Sequence, residues 1–196
     1  MAKSFTERSI TEFRSRMAGG GARSNLFEVE ITFPEGIGIS ESLVSDKVPF
    51  LVKAAEIPAS NLGNIPVPYR GRVLPIAGDR TFDPWTVTVI NDTDFAIRDA
   101  MERWSNSIND IQTAQGTIEP EAYQKSARVF QKSRQGVGPG DPEIDLRIYK
   151  FEGIYPNVVS SIPLDFGATD QIEEFQVTFN YLFYEVQTAT GLTLND

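Results

Sequence analysis

The side chains able to move protons, hold metals or attack carbonyls form a narrow set in this sequence. Its 196 residues contain no His and no Cys, which removes a Ser/His/Asp triad, a thiolate nucleophile, a disulfide and ordinary zinc, haem or iron–sulfur ligation. Carboxylates, Lys, Tyr and Ser remain. Two acid pairs, Glu28 with Glu30 and Glu173 with Glu174, could supply the general acid and base of a glycosidase. The alternation of Glu28 and Glu30 is equally the wet face of a strand. The run GVGPGD at 136–141 has the glycine density of a phosphate-cradling loop but lacks the Lys-Ser/Thr end, so it reads as a turn. An aspartate-rich loop of EF-hand spacing is absent from the sequence. No cofactor or metal is implied.

The elements that would position such groups are mostly strands. At 21.8 kDa the chain can bury about 70% of its unfolded surface, enough for one good-sized domain. The hydrophobic share of 40%, with 13 Phe and 6 Tyr, is that of a globular protein. Residues 25–33 place Phe27, Val29, Ile31 and Phe33 on one face and Glu28, Glu30 and Thr32 on the other. Further strands are expected at 48–56, 69–76, 81–90, 144–151, 158–166 and 171–185, while residues 122–133 read as either helix or strand, and only the resemblance given below favours strand. Residues 34–47 read as an inserted Gly/Ser/acid-rich loop, and 58–68, with three prolines, as another. One helix, about 93–111, opens at the cap-forming NDTD and carries Ile97, Met101, Trp104, Ile108 and Ile111 at helical spacing. One strong helix among about eight strands predicts a mainly β fold, a two-sheet antiparallel sandwich or barrel with a packed helix.

The ends differ from this body. Residues 1–22 read as an arm, a short amphipathic helix with Ser4 and Glu7 at capping-box spacing and Ile10, Phe13 and Met17 on one face, ended by three glycines. The arm region is locally basic, and Arg8, Arg14, Arg16 and Arg23 are candidate contacts to the acidic body of another subunit. Residues 23–187 form the domain, and 188–196 a C-terminal tail. The 34–47 loop is expected to join the arm in contacts between subunits. The formal charge of −9 and pI near 4.6 lack the basic footprint of a phosphate-gripping protein. No apolar run reaches bilayer length, and no signal-peptide apolar region follows Met1.

The segment 69–104 contains AGDRTFDPWTVTVIND, which closely resembles the signature of tail tube proteins from contractile-tailed bacteriophages. RSNLFEVEI, VKAAEIPA, PEAYQKSARVFQ, FEGIYPNVVSSIPLDF and QIEEFQVTFNYLFYE resemble that family's other blocks in the family's order, so the likeness runs from about residue 23 to 185. Read locally, the signature is strand, tight turn at Gly78, Asp79 and Arg80, strand and capped helix, with Arg80 and Asp83 able to bridge to one another or to a neighbour.

The resemblance implies a subunit of a six-membered ring whose inner sheets close into one continuous β-barrel. Rings stack into the inner tail tube, the conduit for genome ejection, in a virion assembled in the host cytoplasm. The implied partners are further copies of the chain, a contractile sheath, baseplate and tail terminator proteins. A tape-measure protein and DNA pass through the lumen without specific binding. The tube of a type VI or other contractile injection system, or a baseplate tube initiator, is the neighbouring reading. A carbohydrate-binding sandwich or acid-pair glycosidase is the reading from another class. The former needs exposed aromatics, whereas Trp85 and Trp104 fall on apolar faces. Within the tube reading, Glu28, Glu30, Glu174, Gln176, Thr178 and Asn180 are candidate lumen residues. Their strands' other faces are aromatic and belong in a core.

Overall fold

The computed structural model describes residues 10–17, 20–134 and 145–188. The capping pair Ser4 and Glu7, Arg8, the 136–141 turn and the tail beyond Thr188 lie outside the described residues. In chain order the elements are α1 (Ile10–Arg16), β1 (Phe27–Ile31), α2 (Glu41–Leu51), β2 (Val52–Ala55), β3 (Ser60–Tyr69), β4 (Arg72–Phe82) and β5 (Trp85–Ile90). They continue with α3 (Ala96–Ile108), α4 (Pro120–Tyr123), β6 (Lys125–Lys132), β7 (Asp145–Val159), β8 (Glu174–Asn180) and β9 (Phe183–Thr188).

Antiparallel pairing runs β1-β6-β7-β8-β5-β2, with β9 also on β7, while β3 and β4 pair with each other. The long β7 organises this arrangement. Its first part pairs with β6 and β9, its last part with β8, and the register slips between Pro156 and Val158. Gly153, at φ +68°, sits where the strand changes partners. The gap expected between strands 144–151 and 158–166 is therefore an irregularity around Pro156 inside one strand joining two sheets, β1-β6-β7-β9 and β7-β8-β5-β2. Such bulges bend a strand without ending it. Residues 160–166 and 171–173, expected as strand, have no regular structure beyond turns, like the 167–170 stretch between them. The expected strand 171–185 breaks at Tyr181 and Leu182, so that β8 and β9 serve different sheets.

Between the sheets lies one apolar cluster. Val29, Ile31, Val129 and Phe151 come from one side, and Trp85, Val87, Val89, Phe175, Val177 and Phe179 from the other. Trp85 stacks on Phe151 with ring centroids 4.5 Å apart. The helix α3 adds Ile97, Ala100, Met101 and Trp104, all buried. The indole N–H of Trp104 donates to the Tyr123 carbonyl at 2.9 Å, so its polar end is satisfied inside the core. Ile111 is exposed because the helix stops at Ile108. Beyond it the Asp110 carboxylate accepts the backbone N–H groups of Thr113 and Gln112, which hold its pKa below the usual range.

A second helix corrects the expectation of one packed helix. Residues 41–51, assigned to a loop and the start of a strand, form α2, whose Val44 and Val48 are buried in the core with Leu51 packed against it. The Gly/Ser-rich approach obscured an i, i+4, i+7 stripe. The 34–47 segment thus packs on its own subunit, contrary to the expected role between subunits. Lys47 of α2 donates to Asp92 at 2.8 Å and also to Asp94, clasping the helix to the entry of α3.

Candidate functional site

The feature that stands apart from the body is the ribbon of β3 and β4. Its turn is not at Gly78 and Asp79, as expected, but at Arg70 and Gly71, which have φ values of +46° and +79°. Two left-handed residues make the mirror-image turn whose twist matches paired strands. Gly78, Asp79 and Arg80 lie within β4, opposite an irregularity between Leu62 and Asn64. A Cβ on Gly78 would come 3.2 Å from the backbone of Gly63, so glycine serves close backbone approach at a bulge and not a chain reversal. Arg80 donates to the Ser60 hydroxyl at 3.0 Å, and Asp83 accepts from Asn61 at 2.9 Å. Arg80 and Asp83 thus each take a neighbour on β3 and not one another, the second of the two expected arrangements.

Almost the whole ribbon is exposed, including residues 60–68, whose prolines predict a loop. Register pairs Ile65 with Ile76, Val67 with Leu74 and Tyr69 with Arg72, so these six share one face, aliphatic with an arginine at the tip. Leu74 is 59% exposed and Tyr69 is 65% exposed. An apolar strip of this length without a core behind it is an association surface. Sequence reasoning placed a strand at 69–76 but missed its partner because Pro58, Pro66 and Pro68 mark 58–68 as a loop. The detectable signal was apolar alternation on both sides of an Arg-Gly pair.

The candidate lumen residues fall into two groups on different sheets. Glu28 and Glu30 project from the outward face of β1, where Glu28 pairs with Lys132 and Glu30 lies across from Arg128. Glu174, Gln176, Thr178 and Asn180 share the outward face of β8. There Lys53 donates to Glu174 at 2.6 Å, the hydroxyls of Thr86 and Thr178 are 3.1 Å apart, and Asn180 donates to the Tyr155 hydroxyl at 3.3 Å. The backbone N–H of Gln176 donates to the Ser160 hydroxyl at 2.8 Å. Thr86 and Thr88 continue this neutral polar face on β5, whereas the β6 and β7 part of the other sheet carries Arg128, Lys132 and Lys150 beside its acids. The two outward faces lie on opposite sides of the shared core.

Arg14 and Arg16 lie on α1, with Arg16 paired to Glu12 at 3.0 Å. Exposed Arg23 precedes β1, its carbonyl held by the Gln131 side chain at 2.6 Å. The acid pairs do not converge. Glu173 accepts from Asn91 at 3.0 Å, while adjacent Glu174 is taken by Lys53. Among the described residues no cluster of three or more acids could hold a metal ion, and no helix is long and apolar enough to cross a membrane.

The family described as phage tail tube protein matches residues 22–187. The tail tube protein gp19 of Enterobacteria phage T4 is 32% identical over 176 residues, covering 88% of this chain and 96% of that one. The extended-state sheath/tube terminator structure of an extracellular contractile injection system, PVC, has the same fold, with a TM-score of 0.60 at 12% identity over 86% of this chain and 97% of that one. A chain from the extended sheath-tube complex of that system gives 0.52 at 12% identity, over 95% and 99% of the two chains. By sequence match over most of its length, this chain belongs to the phage tail tube protein family and is a structural component of the virion tail.

Proposed function

We propose that this chain polymerises as six-membered rings that stack into the inner tail tube, through which the genome leaves the virion. The observation that carries this reading is the ribbon. A subunit whose core is complete still presents an exposed, largely aliphatic strip of three cross-strand pairs, Ile65 with Ile76, Val67 with Leu74 and Tyr69 with Arg72, which a neighbouring copy would bury. A contractile sheath outside, a baseplate and a terminator at the ends, and a tape-measure protein within are the partners of such a tube. Arg14, Arg16 and Arg23, with Arg8, are proposed to meet an acidic neighbour in the ring.

The wall facing the bore is proposed to be the sheet containing β8, with Glu174, Gln176, Thr178 and Asn180 toward the lumen. Its single outward cation on β2, Lys53, is already paired with Glu174, and hydroxyls and amides hold water without gripping phosphate. Glu28 and Glu30 then lie on the outer wall, where Arg128 and Lys150 would otherwise retard DNA. Negative-stain micrographs of the purified protein should show rings or tubes of uniform bore. Monomers alone across concentration and salt would overturn the reading.

A further inference from the structure

The ribbon springs from the Trp85 end of β5, since its base pair is Ser60 with Phe82. The opposite end of the same strand carries a second unpartnered apolar feature. The loop 160–173 is anchored there, with the Asn91 N–H donating to the Glu173 carbonyl at 2.9 Å and the Ser160 N–H to the Gln176 carbonyl at 2.8 Å. Leu164 is 80% exposed, Ile172 is 72% exposed, and Phe166 is wholly exposed. A cleft of about 550 Å³ opens between Ile162, Leu164, Asp165, Gln171 and Ile172. The two features stand about 20 Å apart along β5, before the ribbon's own length is added.

Charge distinguishes them as donor and receiver. The ribbon tip carries Arg70 and Arg72, while the loop carries Asp165, Asp170 and Glu173. The edges of the ribbon are poorly suited to accept a further strand. Pro66 faces Pro75 and Pro68 faces Val73. As neither Pro66 nor Pro75 has an N–H, the donors that a joining strand would need at these positions are missing. The ribbon therefore meets its partner with its aliphatic face.

We propose that the ribbon of one copy packs its Ile65, Val67, Leu74 and Ile76 face onto the 160–173 loop of the next copy along the tube, with Arg70 and Arg72 against Asp165 and Asp170. This rests on the reading of the chain as a stacking tube subunit and adds the surface that receives the ribbon. Because donor and receiver lie at opposite ends, the contact is head-to-tail. It propagates without closing, unlike the contacts within a ring.

The absence of cysteine makes the test direct. Leu74→Cys and Phe166→Cys are introduced singly and together, assembled under reducing conditions, then treated with a short bismaleimide. The double variant should give a covalent ladder extending well beyond dimers, because each subunit then links to two others. Each single variant should stop at dimers or monomers. Tubes of the double variant that cross-link no further than the single variants would overturn the receiving surface while leaving stacking intact. Failure of the unmodified protein to form rings or tubes would instead overturn the tube reading itself. Independently, Asp165→Lys with Asp170→Lys should raise the concentration needed for assembly about tenfold, and adding Arg70→Glu with Arg72→Glu should recover most of that loss. No recovery would overturn the charge pairing.

Discussion

The body sheets and the β3–β4 ribbon are built from the same alternation of apolar and polar residues, yet they use it oppositely. In β5 and β8 every second side chain is buried against aromatic partners from the same chain. In β3 and β4 the aliphatic partners face each other across the ladder and then solvent. Alternation therefore specifies a strand's two faces without saying whether the apolar one finds its partner within the chain. Core-facing strands determine whether the subunit folds, and in the proposed tube the ribbon determines whether it assembles.

That division can be broken experimentally. Leu74→Asp with Ile76→Asp should abolish polymerisation while leaving the subunit's melting temperature nearly unchanged, since neither side chain is buried in the monomer. Light scattering paired with a thermal melt reads both. Trp104→Ala should do the reverse in origin, costing about 3–5 kcal/mol of subunit stability by opening a cavity in the core. Denaturant unfolding of the unassembled subunit measures it.

A finer distinction exists inside the body. Both tryptophans are fully buried, but Trp104 has a hydrogen-bond acceptor whereas Trp85 Nε1 has none among the described residues. Trp104→Phe removes a satisfied donor and leaves the Tyr123 carbonyl short of it. Trp85→Phe removes a donor already costing about 1–3 kcal/mol by its burial. Trp85→Phe should therefore be the milder change in the same unfolding assay. Equal losses would show that lost aromatic packing outweighs the polar atom at both sites.

The smallest effect concerns the clasp of α2 on α3. Hydrogen bonds to Asp92 and Asp94 raise the Lys47 pKa above its ordinary 10.5, and the Lys47 hydrogen bond leads the causes that lower Asp92 below 3.8. A raised Lys47 contributes below its unfolded pKa and is lost as pH rises through its folded pKa. A lowered Asp92 contributes above its unfolded pKa and is lost as pH falls through its folded pKa. The clasp is thus intact across the neutral range and opens only at the two extremes. Lys47→Met should flatten the stability profile slightly at both ends, with the difference shrinking in high salt, as melts across pH would record.

How much of this was readable beforehand varied with the source of each element's order. β1, β5 and α3 were legible because their apolar stripes pack against their own chain and so follow the period of the backbone. The middle of β7 was misread because Gly153 and Pro156 resemble chain reversal, while their use is to turn one strand from one sheet to the next. α2 was missed because its stripe is short and follows a Gly/Ser-rich approach. The ribbon was obscured by prolines, which break a central strand but suit an edge. The lumen candidates were correctly alternating on each strand. Their separation onto two sheets depends on β7 and on the break at Tyr181, which no local pattern announces.

The path of the chain also has a mechanical consequence. β2 leads through residues 56–59 into β3, and β4 leads through Asp83 into β5, while β5 is laddered to β8 and β8 to β7. A tensile load entering at the ribbon therefore runs along the strands and across their hydrogen bonds, which lie perpendicular to the pull. Bonds in that geometry are sheared together and share the force, whereas bonds at a peeled edge fail one after another. A tube joined through such ribbons resists stretching as a stiff rod while each subunit remains only as stable as an ordinary domain.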